Sequence, residues 1–408
     1  LSKKKAFLAM KRYQVVIAGA GTTGTIAAYA LARRGIDVLL VEACPDCPED
    51  LRASTFHPPT LEMLESLDLL DELQPLGLRA PIYQYRNRRS GEVLAFDLTE
   101  VGDVLKYPYR LQCEQWKLSR LICARIADHP HADIIYNHRV IHLDQDANGV
   151  TVSMEGPHAV EQVRADYLIA ADGANSVTRK WLGVSFDGFT YPEKFLTLTT
   201  LLPAEAFFEN LSYVNYVADA QEWCVLLRVP SLWRILAPAA ETDSDDTLRG
   251  EAKKNQVFGG LFGEAGVAAQ TVHRTVYRVH QRVAQRFRVG RVLLIGDSAH
   301  LNNPLGGLGM NCGIHDAMNL VEKLSAILLE NADADSLLER YHRQRRAVMN
   351  DFVQSQTIRN KQYIEAGAEA QQQAQAQMAA TLADPDARRH YLLRQAMYHS
   401  LEMERAIL

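Results

Sequence analysis

No stretch of this 408-residue chain approaches the roughly 18–20 consecutive apolar residues that a membrane span needs. Neither sign of charge is in excess: 44 basic against 49 acidic residues leave a formal net charge of −5. That balance gives no reason to expect nucleic acid or an anionic membrane as a partner. Histidines fall at no metal-ligand spacing, so no metal is expected. Cysteines are few and scattered, at positions 44, 47, 113, 123, 224 and 312. Cys44-Pro-Asp-Cys47 has a C-x-x-C spacing, but a zinc site needs a second pair and a redox motif would open a helix in another fold. It reads as a loop with two incidental thiols. The start of the chain offers only about five apolar residues before charge resumes, fewer than the roughly 7–15 of a signal core. These absences point to a cytoplasmic protein with reduced thiols. Residues 1–11 read as an untidy leader, with Met10 a candidate start.

What is present is an ordinary globular composition, 47% hydrophobic and 23% charged. The length exceeds one hydrophobic core, so two joined domains and a tail are expected. Tyr13 to Ala18 is a short apolar strand, followed by Gly19-Ala-Gly21-Thr-Thr23-Gly24 and a helix over Thr25 to Arg34. A second strand, Asp37 to Val41, ends at Glu42. Together they make a complete βαβ unit. In such a unit the first glycine allows a tight turn, the second lets the backbone approach a pyrophosphate, and the third lets helix and strand pack closely. The helix N-terminus offers free N–H groups to phosphate, and a carboxylate about twenty residues on grips ribose hydroxyls, which is Glu42 here.

Further along, 82–98 reads as a hairpin around Ser90-Gly91, 115–128 as a helix, and Tyr167 to Ala171 as a buried strand leading into Asp172-Gly173. Residues 194–238 alternate like a sheet, acidic Glu241 to Asp246 is a loop, and the chain after 309 is helical. A third motif occupies 290–311: the strand Val292 to Ile295 runs into Gly296-Asp297, then a loop with Pro304 and Gly306-Gly307-Leu308-Gly309, then a helix from about Met310. Asp297 can accept hydrogen bonds from ribityl or ribose hydroxyls. Backbone N–H groups from Gly307 to Asn311 suit the pyrimidine edge of a flavin, where the helix dipole stabilises negative charge. The three motifs in this order indicate FAD.

The three motifs resemble the group A flavoprotein aromatic hydroxylases, the para-hydroxybenzoate hydroxylase family, over residues 13 to about 345. The resemblance implies an α/β fold. Its FAD-binding Rossmann-like (GR2-type) domain would comprise 13–80, 106–190 and 275–330. An inserted α+β substrate sheet would comprise 81–105 and 191–274, and a helical segment 331–408. It implies flavin reduction by NADPH or NADH, then reaction with O2 to a C4a-hydroperoxide that hydroxylates a small phenolic or hydroxypyridine-like ring. Carried over by position, Arg52 matches an arginine on the FAD phosphates, Gln115 a ribityl contact, Asp172 the Asp-Gly element, and Pro304 a proline beside the reactive face of the flavin. The family loop, His-x-x-Pro-Pro-x-x-Gly-Gln-Gly, is here His300-Leu-Asn302-Asn303-Pro304-Leu-Gly306-Gly307-Leu308-Gly309, which puts any substrate analogy with a named hydroxylase in doubt.

An acid–base group near the ring is wanted. Candidates are Tyr83, Tyr85, Tyr213, Tyr216 and His273, with His57 in the loop after Arg52. Pro304, His57 and Tyr216 are the residues assigned to catalysis. Arg228 and Arg234 are candidates for a substrate carboxylate. The alternative is a flavin-dependent reductase or epoxidase acting on an isoprenoid- or polyketide-type substrate. Tyr391, Leu392, Leu393, Met397 and Leu401 leave open whether the tail packs on its own domain or forms a homodimer.

Overall fold

The computed structural model describes residues 12–49, 53–219 and 222–408. Its first layer is a sheet whose central strands are parallel. Tyr13–Ala18 lies between Val160–Ala170 and Val38–Val41, and the strands Ala132–Ile135 and Val292–Leu294 flank them. Val15, Val16 and Ile17 are fully buried, as a parallel strand covered on both faces requires. The helix Thr22–Ala32 packs on one face, against Gln115–Ala127 and Gly309–Glu330. Its alanines (27, 28, 30 and 32) allow that close approach. The helix starts three residues earlier than the periodicity suggests, because Gly21 caps it in an extended conformation.

The second layer is a mostly antiparallel sheet of eight strands. Its order is 300–301, 271–284, 186–200, 232–239, 224–229, 214–218, 82–87, 93–97. The hairpin 82–97 forms as its sequence suggests, and its first strand pairs in parallel with Val214–Ala218. The strands Phe186–Thr200 and Thr271–Ala284 run through the expected boundaries at 190/191 and 274/275. They carry the chain continuously from one layer to the other.

Two features depart from the sequence reading. The acidic segment is partly helical, Asp245–Arg249, capped by the Ser244 side chain. It leads into Glu251–Ala268, an 18-residue helix kinked at Gly263, within a stretch read as β-rich. Phe258 and Phe262 of this helix pack against Leu196, Leu226, Trp233 and Ile235 of the sheet. Beyond Gly309–Glu330 the chain is helical, with a π-helical turn at Val348–Gln354.

Candidate functional site

The glycine turn is held by its own geometry. Gly19 has φ of +102°, and a side chain there would stand 2.4 Å from the Ala171 carbonyl oxygen. A side chain at Gly24 would stand 2.0 Å from the Gly19 carbonyl oxygen. At Gly21 nothing lies within 4 Å of the would-be side chain. So Gly19 and Gly24 make the turn, and Gly21 leaves room. The helix that follows has no side-chain cap, so its first N–H groups lack partners from the helix itself. Glu42 is buried and accepts from the backbone N–H groups of Ala20 (2.7 Å) and Cys44 (2.8 Å), fixing the turn from below. Asp172 accepts from Thr178 N–H at 3.0 Å in the next short helix, whose cap is Ser176, while its Oδ1 is buried without a partner.

The second motif converges on the same place. Gly296 has φ of +60°, and its N–H donates to Asp316. Gly306 and Gly307 also have positive φ and turn the loop toward the helix Gly309–Glu330, whose N-terminus is again uncapped by a side chain. The Asn311 side chain faces protein. It donates to the carbonyls of Thr55 and Gly307 and accepts from His57 N–H, clamping loop to helix.

Between the two layers lies a cavity of about 500 Å³. Gly21, Thr22, Thr23, Gly24, Gln115, Asp297 and the run Gly306 to Met310 line one side of it. Tyr216, Val225, Leu227, Leu236 and Val279 line the other, with Arg234 and Thr197. Pro304 and Asn302 stand at the junction. Motifs nearly 300 residues apart in sequence thus share one hollow with an apolar sheet face.

Residues 12–356 match the family described as FAD binding domain. The chain belongs to that family, the group A flavoprotein monooxygenases. It is 33% identical to para-nitrophenol 4-monooxygenase of Pseudomonas sp. (strain WBC-3) over 343 residues, covering 83% of this chain and 84% of that protein. It is 31% identical to 6-hydroxy-3-succinoylpyridine 3-monooxygenase of Pseudomonas putida (strain DSM 28022 / S16), covering 86% and 90%. The crystal structure of p-nitrophenol 4-monooxygenase PnpA from Pseudomonas putida DLL-E4 superposes with a TM-score of 0.89 at 30% identity, over 96% of this chain and 98% of that one. FAD is the cofactor, and an aromatic compound, O2 and a reduced nicotinamide are the reactants.

In this flavoprotein the residues assigned to catalysis part company. Pro304 and Tyr216 face the cavity, and His57 does not line it. His57 is fully buried, with Nε2 2.8 Å from the Gly306 carbonyl. A carbonyl only accepts, so Nε2 carries the proton. Burial, then the nearby Arg110, hold its pKa well below the usual histidine value, so the ring is neutral at physiological pH. It ties the glycine loop in place. Tyr83 and Tyr85 are buried beside Tyr216, with Tyr85 stacked on Tyr216 at 5.0 Å between ring centroids. Tyr213 and His273 are exposed. Arg228 stacks over Trp233, while Arg234 reaches the cavity. Arg52 lies outside the described residues. Among the described residues no cluster could hold a metal ion, and no helix is long and apolar enough to cross a membrane.

Two parts of the monooxygenase's site had no local signal. Arg110, on the three-residue strand Arg110–Gln112, is buried behind Tyr216. The helix Ser355–Glu365 braces the cofactor loop: Thr357 O accepts from Asn303, and Asn360 donates to Leu305 O. Below that loop runs a buried charge chain, His300 to Asp316 (2.6 Å), Asp316 to Arg345 (2.6 Å), and Arg345 to Glu404. Asp316 is the same carboxylate that holds Gly296 N–H. Thr357 and Asn360 lie 54 and 55 residues beyond the loop residues they bind, so no spacing rule connects them.

Proposed function

We propose that this protein hydroxylates a small phenolic or hydroxypyridine-like ring, using FAD, NAD(P)H and O2. One observation carries the reading: the cavity joins the phosphate-suited glycine turn, the uncapped N-terminus of Gly309–Glu330 and an apolar sheet face. The named activities of the relatives, on nitrophenol and on a hydroxypyridine, support the same substrate class. As monooxygenations, they weigh against the alternative of reductase or epoxidase chemistry on an isoprenoid- or polyketide-type substrate.

The residues present fit FAD. The open space at Gly21 and the free N–H groups of Thr22, Thr23 and Gly24 suit the pyrophosphate, with Gly19 and Glu42 shaping the turn. Gln115 and Asp297 face the cavity where ribityl and ribose hydroxyls would lie, and Asp172 and Gly296 position that wall. The Gly307–Leu308–Gly309–Met310 run offers N–H groups and a helix dipole to the electron-rich edge of the ring system, with Asn311 as its clamp. Bound FAD supplies hydride acceptance from the nicotinamide and activation of O2 toward the substrate. Pro304 and the sheet face line the cavity and would exclude water from around the substrate ring. The six cysteines are free thiols, which supports a cytoplasmic location. Homodimerisation through the helical tail stays part of the proposal.

The test is direct. Purified protein should carry a flavin spectrum, and NAD(P)H oxidation should accelerate with a phenol, hydroxybenzoate or hydroxypyridine that gains one oxygen atom from O2. Bound flavin with no aromatic effector in such a panel would overturn the substrate class.

A further inference from the structure

The Cys44-Pro-Asp-Cys47 motif does not pair within itself. Cys44 is exposed, and its thiol hydrogen-bonds Glu42. Cys47 is buried, and its thiol donates to the sulfur of Cys123, on the helix Gln115–Ala127. The Tyr136 hydroxyl donates to that same sulfur. Cys47 and Cys123 are 4% and 6% exposed, so a water-sized reagent reaches them more readily than a bulky one.

The two thiols meet where two walls of the cofactor groove come together. Pro48, next to Cys47 in the loop 43–49 that follows Glu42, lines the cavity. Gln115, Trp116 and Ser119 of the helix line it too, and Ser119 Oγ lies 3.1 Å from Thr22 Oγ1 at the glycine turn. Arg120 of the helix also pairs with Glu49 of the loop at 2.8 Å. Both of those side chains are about half exposed, and such a pair contributes little. A covalent bond between Cys47 and Cys123 would hold the two walls together far more firmly.

The environment divides the labour between the two sulfurs. Cys123 accepts from Cys47 and from Tyr136, which together outweigh burial and hold its pKa below the ordinary cysteine value. That same hydrogen bond, then burial, push Cys47 up, so Cys47 keeps its proton. Cys123 is thus the nucleophile and Cys47 the resolving thiol.

We propose that Cys47 and Cys123 form a redox latch on the cofactor site, in which hydrogen peroxide converts the two thiols to a disulfide that slows FAD release. Hydrogen peroxide is what a reduced flavin makes from O2 when no ring is oxygenated. The Cys123 thiolate attacks one peroxide oxygen and the O–O bond breaks, giving a sulfenic acid. The hydroxide that leaves takes up the proton Cys123 had lost. The Cys47 sulfur then attacks the oxidised sulfur, the S–O bond breaks, and water leaves with the Cys47 proton. Two thiols and one peroxide become one disulfide and two waters. The latch concerns cofactor retention and is independent of which ring is hydroxylated.

The FAD-loaded protein would be treated with a slight excess of hydrogen peroxide, blocked with N-ethylmaleimide and digested with trypsin without reduction. Mass spectrometry should find the Cys47 and Cys123 peptides joined, less two hydrogens, with Cys44 alkylated. Diluted into flavin-free buffer, the oxidised protein should release FAD about tenfold more slowly than the untreated protein, read as a rise in flavin fluorescence. Cys44→Ser should still form the link and show the slowing, and Cys47→Ser should lose both. If Cys47→Ser fails to load FAD, Cys123→Ser decides. Peroxide that joins Cys44 to Cys47, or oxidises the thiols singly, would overturn the pairing. A Cys47–Cys123 link that leaves the rate of FAD release unchanged would overturn the latch.

Discussion

Gly21 and Gly24 are three residues apart, yet their substitution should read out differently. A methyl at Gly24 collides with backbone at 2.0 Å, so Gly24→Ala should lower the melting temperature of the FAD-free protein. A methyl at Gly21 meets open space, so Gly21→Ala should leave that melt within about 0.5 kcal/mol and weaken FAD binding tenfold or more, about 1.4 kcal/mol. Fluorescence titration with FAD beside thermal melting separates the two. Asp316 offers a second test. Burial pushes its carboxyl up, but His300 and Arg345 outweigh that and leave its pKa below the ordinary aspartate value. The folded form therefore holds fewer protons than the unfolded chain in acid. The stabilisation is full above about pH 5 and is lost as pH falls through the folded pKa. Asp316→Asn leaves Arg345 short of a buried partner and should cost about 3–5 kcal/mol by urea denaturation. His315 works in a higher window. Burial, then Arg345, lower its pKa to about 4. Between that value and the unfolded value near 6.5, only the unfolded chain takes up the proton, so stability falls as pH drops through this range. His315→Gln should flatten that part of the profile. At this scale the sequence was informative for groups whose role is set by neighbours in the chain, such as Gly24, which packs on the Gly19 carbonyl. It was silent on Arg110, whose contact with Tyr216 spans 106 positions.

Among the elements, the βαβ unit and the 82–97 hairpin were legible because periodicity and turn residues act locally. The helix Glu251–Ala268 was not. It carries Gly259, Gly260, Gly263 and Gly266, each unfavourable in a helix interior, and its stability comes from packing Phe258 and Phe262 on the sheet. The glycines themselves are tertiary features. A side chain at Gly266 would stand 2.2 Å from the Phe258 carbonyl, and one at Gly260 would crowd Arg88. Gly263, with φ of +62° and ψ of −144°, sits where only glycine is comfortable. Gly263→Ala should therefore cost about 1–3 kcal/mol in urea denaturation with FAD binding unchanged, since the helix lies behind the sheet and away from the cavity.

For the whole molecule, the cofactor loop depends on a helical region that the motifs do not announce. Asn360 donates to the Leu305 carbonyl from the helix Ser355–Glu365. Asn360→Ala should leave the overall fold intact but loosen the loop. The expected result is a larger share of NAD(P)H consumed with release of hydrogen peroxide and a smaller share coupled to product, measured as the ratio of oxygenated product to nicotinamide oxidised. The match over residues 12–356 reaches just past Ser355, so the motif-bearing part and its support come from different stretches of the chain.

The charge chain from His300 to Glu404 also imposes an order in time. Arg345 is fully buried between Asp316 and Glu404, and Asp316 holds Gly296 of the cofactor loop. On the ribosome, Glu404 emerges about 90 residues after Asp316, a delay of roughly 5–20 s at ordinary synthesis rates. Throughout that interval the guanidinium has one of its two carboxylates and the loop lacks its final brace. If the loop needs this brace to hold the cofactor, free FAD should protect a chain that contains Glu404 from proteolysis better than it protects ribosome-bound chains halted before Glu404.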